Sequence, residues 1–203
     1  MSFTPEQLSA LFRAAYETDV TTPYHRSSYP AIATSNPKLS QAGRTVLIPG
    51  GGTNVGFGIS KAFVQAKAET LIIIGRRREV LEEAVTKLRK EAKTAGADTK
   101  IIFRQLDVTD LPAVEKFWND LAAESITVDV FVNNAVKFSK PKPLLDLGFE
   151  ELQAQFDTNV KSAIFFTERF IKQPGEKQRV SSRYPSVPYW PYSLTHISSF
   201  LST

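Results

Sequence analysis

The fold is decided by residues 45–60, TVLIPGGGTNVGFGIS, where a short apolar run leads directly into a glycine-rich segment. Residues 45–48 have the composition of a buried strand, and residues 57–68 have the apolar spacing of a helix. Glycines between a strand and a helix let the backbone approach an anion, to which the helix N-terminus presents its N–H groups. A plain strand-to-helix turn needs one glycine, whereas five of the nine residues from 50 to 58 are glycine. The segment therefore predicts a phosphate-binding loop.

The strand and helix pattern continues beyond this loop. The apolar spacing predicts further strands at 70–74, 100–106 and 128–132, and helices at 79–95, 112–123 and 149–172. This alternation predicts an α/β fold, a doubly wound parallel sheet with helices on both faces. After Gln173 the chain is rich in proline, and only Arg179 and Val180 remain where a fifth strand would stand. We therefore expect no fifth strand, and a sheet that is incomplete at the C-terminus.

Two parts of the chain differ in character. Residues 1–43 form a predicted N-terminal arm, with a short amphipathic helix at 5–16 followed by a turn-rich stretch that we expect on the surface. Residues 44–203 form the predicted nucleotide-binding domain.

Composition excludes several classes of function. The chain has no cysteine and only two histidines, His25 and His196, so we expect no disulfide and no metal site. Its 25 basic and 21 acidic residues are intermixed, which argues against nucleic acid as a partner. Neither a secretory signal nor an apolar stretch of membrane-spanning length is present in the sequence, which predicts a cytoplasmic protein with no membrane partner.

The glycine-rich segment resembles the Thr-Gly-x-x-x-Gly-x-Gly motif of the short-chain dehydrogenase/reductase family. The segment can be aligned with this motif in two ways. Anchored on the strand, Pro49 takes the threonine position and the three glycine positions fall on Gly50, Asn54 and Gly56, with Val55 in the same loop. Anchored on glycines alone, the set is Gly52, Gly56 and Gly58. The first alignment is preferred because it keeps the distance from the strand, and because asparagine tolerates a left-handed backbone.

Two further motifs match this family in order and spacing. Asp107 and Val108 follow the strand at 100–106, and the resemblance implies that this pair contacts adenine. The family's Asn-Asn-Ala-Gly corresponds to Asn133, Asn134 and Ala135, with Val136 in place of the glycine. The resemblance implies a Rossmann-like domain in which these residues line the cofactor site.

The end of the strand at 70–74 indicates which nicotinamide cofactor is bound. A site for NAD usually places a carboxylate here for the ribose hydroxyls, whereas an arginine suits the 2′-phosphate of NADP. The sequence reads Gly75-Arg76-Arg77-Arg78, with no acidic residue before Glu79. We therefore predict NADP as the cofactor, with Arg76 at its 2′-phosphate. The alternative is that the arginines form an exposed turn at the start of the next helix and contact only solvent.

The catalytic set implied by the family is asparagine, serine, tyrosine and lysine. Asn159 matches the helix asparagine, Tyr192 stands where the tyrosine is expected, and Ser182 is the best serine candidate. The position of the lysine, four residues after the tyrosine, is occupied by His196. Because histidine is largely neutral at pH 7, it would acidify the tyrosine less than lysine does.

The resemblance implies an NADP(H)-dependent oxidoreductase that acts on a small carbonyl or alcohol substrate. The alternative is a catalytically inactive relative that at most binds the nucleotide. Family members continue past the tyrosine with more strands and a substrate lid, whereas this sequence stops 11 residues after Tyr192. We therefore expect an incomplete substrate pocket and an exposed sheet edge, which a second copy in a homo-oligomer would cover.

Overall fold

The computed structural model describes Thr4, Glu6 and residues 27–140, 142–173 and 180–183. The helix predicted at 5–16 lies outside these residues apart from Glu6. The strands are β1 Thr45–Pro49, β2 Thr70–Gly75, β3 Lys100–Gln105, β4 Val130–Asn133 and β5 Val180–Arg183. The helices are α1 Asn54–Gln65, α2 Arg78–Ala95, α3 Leu111–Ala123, α4 Leu144–Leu147, α5 Phe149–Phe156 and α6 Ser162–Ile171, with a 3-10 turn at Pro37–Leu39 and a π turn at Asp157–Lys161.

The strands form one parallel sheet in the order β3-β2-β1-β4-β5. The chain builds outward from β1 through β2 and β3, and then crosses to the other side of β1 to add β4. A crevice therefore opens at the carboxyl ends of β1 and β4, where the strand order reverses and where open α/β sheets bind their ligands. The doubly wound fold predicted from the sequence is confirmed.

The expectation that no fifth strand would form is wrong. Val180–Arg183 pairs with β4 in parallel, and Ser182 lies opposite Val132 in the register. A strand at this place needs only four residues, because β4 itself has only four. Its pairing uses backbone groups, so the polar sequence VSSR satisfies it without the apolar run that the prediction required.

The two faces of the sheet are covered by different helices. Along β1, Val46 and Ile48 point to one face and Leu47 to the other, as the two-residue period of a strand requires. The first face packs against α1 and α2 through side chains such as Leu81 and Leu88. The second face packs against α3 and α6. Its largest fully buried side chains are aromatic: Phe131, Phe166 and Phe170.

The ends of the helices follow local chemistry. Asp110 caps α3 by accepting from the N–H of Ala113 at 3.1 Å, and Pro112 occupies the first turn, where its missing N–H costs nothing. Gly96 ends α2 with a left-handed backbone at φ +59°. The helix predicted at 149–172 runs from Phe149 to Ile171, interrupted by the π turn, and the short α4 before it was not predicted.

Within the described residues, every helix is too short or too polar to cross a membrane.

Candidate functional site

A cleft of about 600 Å³ lies at the carboxyl ends of β1, β2, β3 and β4. Nine of the ten residues predicted to contact a cofactor line it: Gly50, Asn54, Val55, Gly56, Arg76, Asp107, Val108, Asn134 and Ala135. The tenth, Asn133, is the last residue of β4 and is half-buried next to the lining. The cleft thus joins three motifs that are up to 85 residues apart in the sequence.

The loop after β1 is held in a conformation that depends on its small residues. Gly50 has φ +73° and Asn54 has φ +46°, both in the left-handed region that favours glycine and tolerates asparagine. A Cβ atom added to Gly56 would stand 2.0 Å from the carbonyl oxygen of Gly50, whereas one added to Gly58 would meet nothing within 4 Å. These conformations favour the strand-anchored alignment of Gly50, Asn54 and Gly56.

The first turn of α1 faces the cleft without a side-chain cap. Thr53 precedes the helix with an extended backbone, and its side chain makes no capping hydrogen bond. The N–H groups at the start of α1 therefore remain able to receive an anion, as they do in phosphate-binding loops. The loop is also fixed to α1, because the fully buried Ser60 on this helix donates its hydroxyl to the carbonyl of Gly51 at 2.9 Å.

Asn134 joins the loop to the neighbouring strand. Its Nδ2 donates to the carbonyl oxygen of Pro49 at 3.1 Å, across 85 residues of sequence. The same amide would lie 2.6 Å from a Cβ on Gly56 and 2.8 Å from one on Gly50. Asn134 therefore closes the floor of the cleft at the point where the strand order reverses, and it fits only because both loop positions lack side chains.

The end of β2 presents a basic side chain to the cleft. The side chain of Arg76 is 77% exposed, and its Nη1 lies 3.9 Å from Oδ2 of Asp107, which is a long ion pair rather than a hydrogen bond. The backbone at Arg76 is fixed by Gln105, whose Nε2 donates to its carbonyl at 3.0 Å. Among the described residues that line the cleft, Asp107 is the only carboxylate. Its other oxygen accepts from the N–H and hydroxyl of Thr109.

The opposite end of the cleft is formed by residues 136–138. Asn159, on the π turn, holds this segment by its backbone: its Oδ1 accepts from the N–H of Lys137 at 2.8 Å, and its Nδ2 donates to the Lys137 carbonyl at 2.9 Å. Val136 and Phe138 on either side are exposed. Asn159 does not itself line the cleft, but its side chain positions the loop after β4, whose Lys137 does.

A polar network behind this segment was not predicted. Ser139 donates its hydroxyl to the carboxylate of Glu151 and accepts from Nε2 of Gln155 at 2.6 Å, and Nζ of Lys137 lies 3.1 Å from the same carboxylate. The Ser139 hydroxyl, and after it the Lys137 ammonium, hold the pKa of Glu151 below its usual value. The carboxylate therefore stays ionised at neutral pH. No sequence motif signals this network, because it depends on how the loop folds back on α5.

The remaining catalytic candidates are less fully described. The backbone of Ser182 lies on β5, next to β4 in the sheet. Tyr192 and His196 lie outside the described residues, so their places relative to the cleft stay predictions. In the described part of the chain, no group of three acidic or histidine side chains is arranged to hold a metal ion.

The chain is similar to known short chain dehydrogenases. Residues 44–180 match the family model of short chain dehydrogenases. The chain is 30% identical over 151 residues to the short chain dehydrogenase/reductase nsrO of Aspergillus novofumigatus, covering 74% of this chain and 49% of that protein. It is 28% identical over 148 residues to the NADP-dependent 3-hydroxy acid dehydrogenase YdfG of Escherichia coli (strain K12), covering 70% and 55%. A short-chain type dehydrogenase/reductase from Mycobacterium marinum has the same fold, with a TM-score of 0.57, 25% identity and coverage of 65% and 49%.

The chain belongs to the short-chain dehydrogenase family, a family of oxidoreductases that use nicotinamide dinucleotides. It spans about half the length of the first two curated relatives that it matches. The matched region, 44–180, includes all the residues that line the cleft, the four strands β1 to β4 and the first residue of β5.

Proposed function

We propose that this chain binds NADP(H) in the cleft and acts as a reductase of small carbonyl compounds or a dehydrogenase of the corresponding alcohols. The observation that carries the proposal is Arg76 at the end of β2, where its exposed guanidinium meets the cleft. A family relative, the E. coli 3-hydroxy acid dehydrogenase, is named as NADP-dependent, which supports the same cofactor.

The shape of the cleft fits a dinucleotide. Gly50 and Gly56 leave a cradle that a single Cβ atom would fill, and the uncapped start of α1 is suited to the pyrophosphate. Asp107 and Val108 line the cleft beside Arg76 and would flank adenine. When bound, the nicotinamide supplies the hydride chemistry.

The residues of the chain would then position the reactants and move the proton. Asn159 holds the segment after β4 through Lys137, which shapes the end of the cleft opposite Arg76. By its position in the sequence, Tyr192 would supply the proton to the substrate oxygen, and Ser182 would donate a hydrogen bond to that oxygen. The exposed Val136 and Phe138 would give this end an apolar wall.

The first test concerns the choice of cofactor. Replacing Arg76 by alanine should weaken NADPH binding about 10- to 150-fold, from the 1.5–3 kcal/mol of a hydrogen bond to a charged group, and should leave NADH binding nearly unchanged. The effect is confined to NADPH because NADH lacks the 2′-phosphate that the Arg76 guanidinium would bind. Calorimetric titration with both cofactors measures it.

Arg78→Ala is the matched control. The Arg78 side chain pairs with Glu82 at 2.8 Å and lies over the ring of Phe103, and it does not line the cleft. Its loss should leave both affinities unchanged. If Arg76→Ala kept the preference for NADPH, Arg76 would not be at the 2′-phosphate.

The second test concerns turnover. Oxidation of NADPH with a panel of ketones and quinones should be slow, because a tyrosine hydroxyl ionises near pH 10 and a neutral His196 supplies no charge to lower that value. Tyr192→Phe should reduce this slow rate to background, whereas Tyr184→Phe, in the same stretch of chain, should retain it. Nucleotide binding with no turnover in the unaltered chain would favour the alternative, a relative that only binds the cofactor.

A further inference from the structure

The loop that follows β4 alternates between exposed and half-buried residues. Val136, Phe138 and Lys140 are exposed, whereas Lys137 and Ser139 between them are half-buried. This two-residue period is that of an extended chain, in which successive side chains point to opposite sides. Val136 and Phe138 line the cleft, and the polar ends of the Lys137 and Ser139 side chains turn instead toward α5. The loop is thus a wall with an apolar side toward the cleft and a polar side behind it.

A single carboxylate on α5 receives both of these polar side chains. Oε1 of Glu151 accepts from the hydroxyl of Ser139, and Oε2 of Glu151 lies 3.1 Å from Nζ of Lys137. One turn further along α5, Nε2 of Gln155 donates to the Ser139 hydroxyl oxygen at 2.6 Å. Because hydrogen bonds to an ionised group are stronger than those between neutral groups, Glu151 is the main attachment behind the loop.

This attachment fixes the direction in which the loop faces. Asn159 binds the N–H and the carbonyl of Lys137, which holds the loop at one residue. A second attachment, two residues further on, sets which side of the loop faces the cleft, and Glu151 supplies it through Ser139. In an extended chain, a slip of one residue exchanges the two sides. It would turn the polar side chains into the cleft in place of the apolar ones.

We propose that Glu151 is a positioning residue of the cofactor cleft: it holds the loop after β4 so that Val136 and Phe138 face the end of the cleft opposite Arg76. The inference rests on the proposed function for the identity of the ligand, since that end would receive the nicotinamide half of NADP(H). Glu151 itself does not line the cleft, so it acts through the loop and not by touching the ligand.

A comparison of a whole ligand with half of it tests the proposal. Glu151→Gln removes the charge that pairs with Lys137 and keeps the size of the side chain. The dissociation constant of NADPH should rise about tenfold, the lower end of the range for one hydrogen bond to a charged group. Adenosine 2′,5′-bisphosphate, which lacks the nicotinamide half, should bind as before, because it would occupy the end of the cleft at Arg76. General damage to the fold would weaken both ligands alike.

Glu150→Gln is the matched control. Glu150 precedes Glu151 in the first turn of α5 and is exposed, so the same change of charge on the same turn should alter neither affinity. Ser139→Ala is a second test of the network, since it removes the hydroxyl that Glu151 binds. It should weaken the binding of NADPH alone, as Glu151→Gln does. Circular dichroism establishes that the three variants are folded.

Hydrogen exchange of the free protein tests the same contacts without a ligand. The amide hydrogens of residues 136–139 should exchange about tenfold faster in Glu151→Gln than in the unaltered chain, and those of β1 and β4 should exchange as before. Unchanged exchange in this loop, unchanged NADPH affinity, or equal weakening of the two ligands would overturn the positioning role. Failure of the unaltered chain to bind NADPH would overturn the proposed function instead, and the exchange rates would then decide the role of Glu151.

Discussion

Replacing Gly56 by alanine should nearly abolish binding of the dinucleotide. The added methyl group would stand 2.0 Å from the Gly50 carbonyl oxygen, 2.8 Å from its carbonyl carbon and 2.6 Å from Nδ2 of Asn134. Two of these neighbours are backbone, so the loop itself has to move by more than 1 Å. Such a shift would displace the N–H groups that we propose bind the phosphates. The loss of two hydrogen bonds to a charged group, each worth about 1.5–3 kcal/mol, would raise the dissociation constant by about two orders of magnitude or more.

Gly58→Ala provides the matched control for this variant. Gly58 lies in the same helix, two residues further on, and a Cβ there meets nothing within 4 Å. It should leave cofactor binding unchanged and stabilise the fold by about 0.5–1 kcal/mol, since alanine favours a helix more than glycine does. Titration and urea unfolding of both variants separate loss of binding from loss of folding. Unchanged affinity in Gly56→Ala, or lost affinity in Gly58→Ala, would contradict the strand-anchored arrangement of the loop.

Truncating Phe166 to alanine should lower the free energy of unfolding by about 3–5 kcal/mol, the range for large aromatic residues in a core. Phe166 is 2% exposed, and its ring stacks on that of Phe131 with 5.8 Å between the ring centres. It also meets Trp118 in an edge-on arrangement and lies tilted against Phe117. It therefore joins α6 to both β4 and α3. Because β4 leads directly to Asn134, we expect the same variant to bind the cofactor more weakly.

Phe138→Ala is the comparison for this effect. The Phe138 side chain is exposed at the rim of the cleft, so its removal should change stability by no more than about 0.5 kcal/mol. Urea unfolding, followed by fluorescence, measures both variants. A loss below about 1.5 kcal/mol in Phe166→Ala would show that the cluster tolerates the cavity and that the ring contacts are not a main support of the sheet.

The parts of the fold that follow from side-chain periodicity could be predicted from the sequence. The strand at 45–48, the loop after it and the helix at 79–95 are found within a few residues of their predicted places. The first helix begins at Asn54 rather than 57, because the left-handed backbone of Asn54 turns the chain directly into the helix. The periodicity of apolar side chains does not reveal such a turn.

The parts that depend on backbone pairing or on loop geometry could not be predicted in the same way. β5 has no apolar run, since its place in the sheet comes from backbone bonds to β4. The π turn at Asp157–Lys161 lies in a helical segment that carries large apolar residues on its exposed side as well as its buried side, so no break in the apolar pattern signals it. The network around Glu151 joins two segments, the loop after β4 and α5, which come together only when that loop folds back on the helix.

The order of strands in the sheet also bears on how the cleft is assembled during synthesis. β1, β2 and β3 are consecutive, so they can pair as soon as residue 105 has left the ribosome. The floor of the cleft comes later, because Asn134 reaches back 85 residues to Pro49. Until then the edge of β1 that pairs with β4 stays open, with its backbone groups unpaired, which makes the nascent chain most vulnerable to aggregation between those two points. Synonymous codons that slow translation between residues 105 and 134 would prolong that interval.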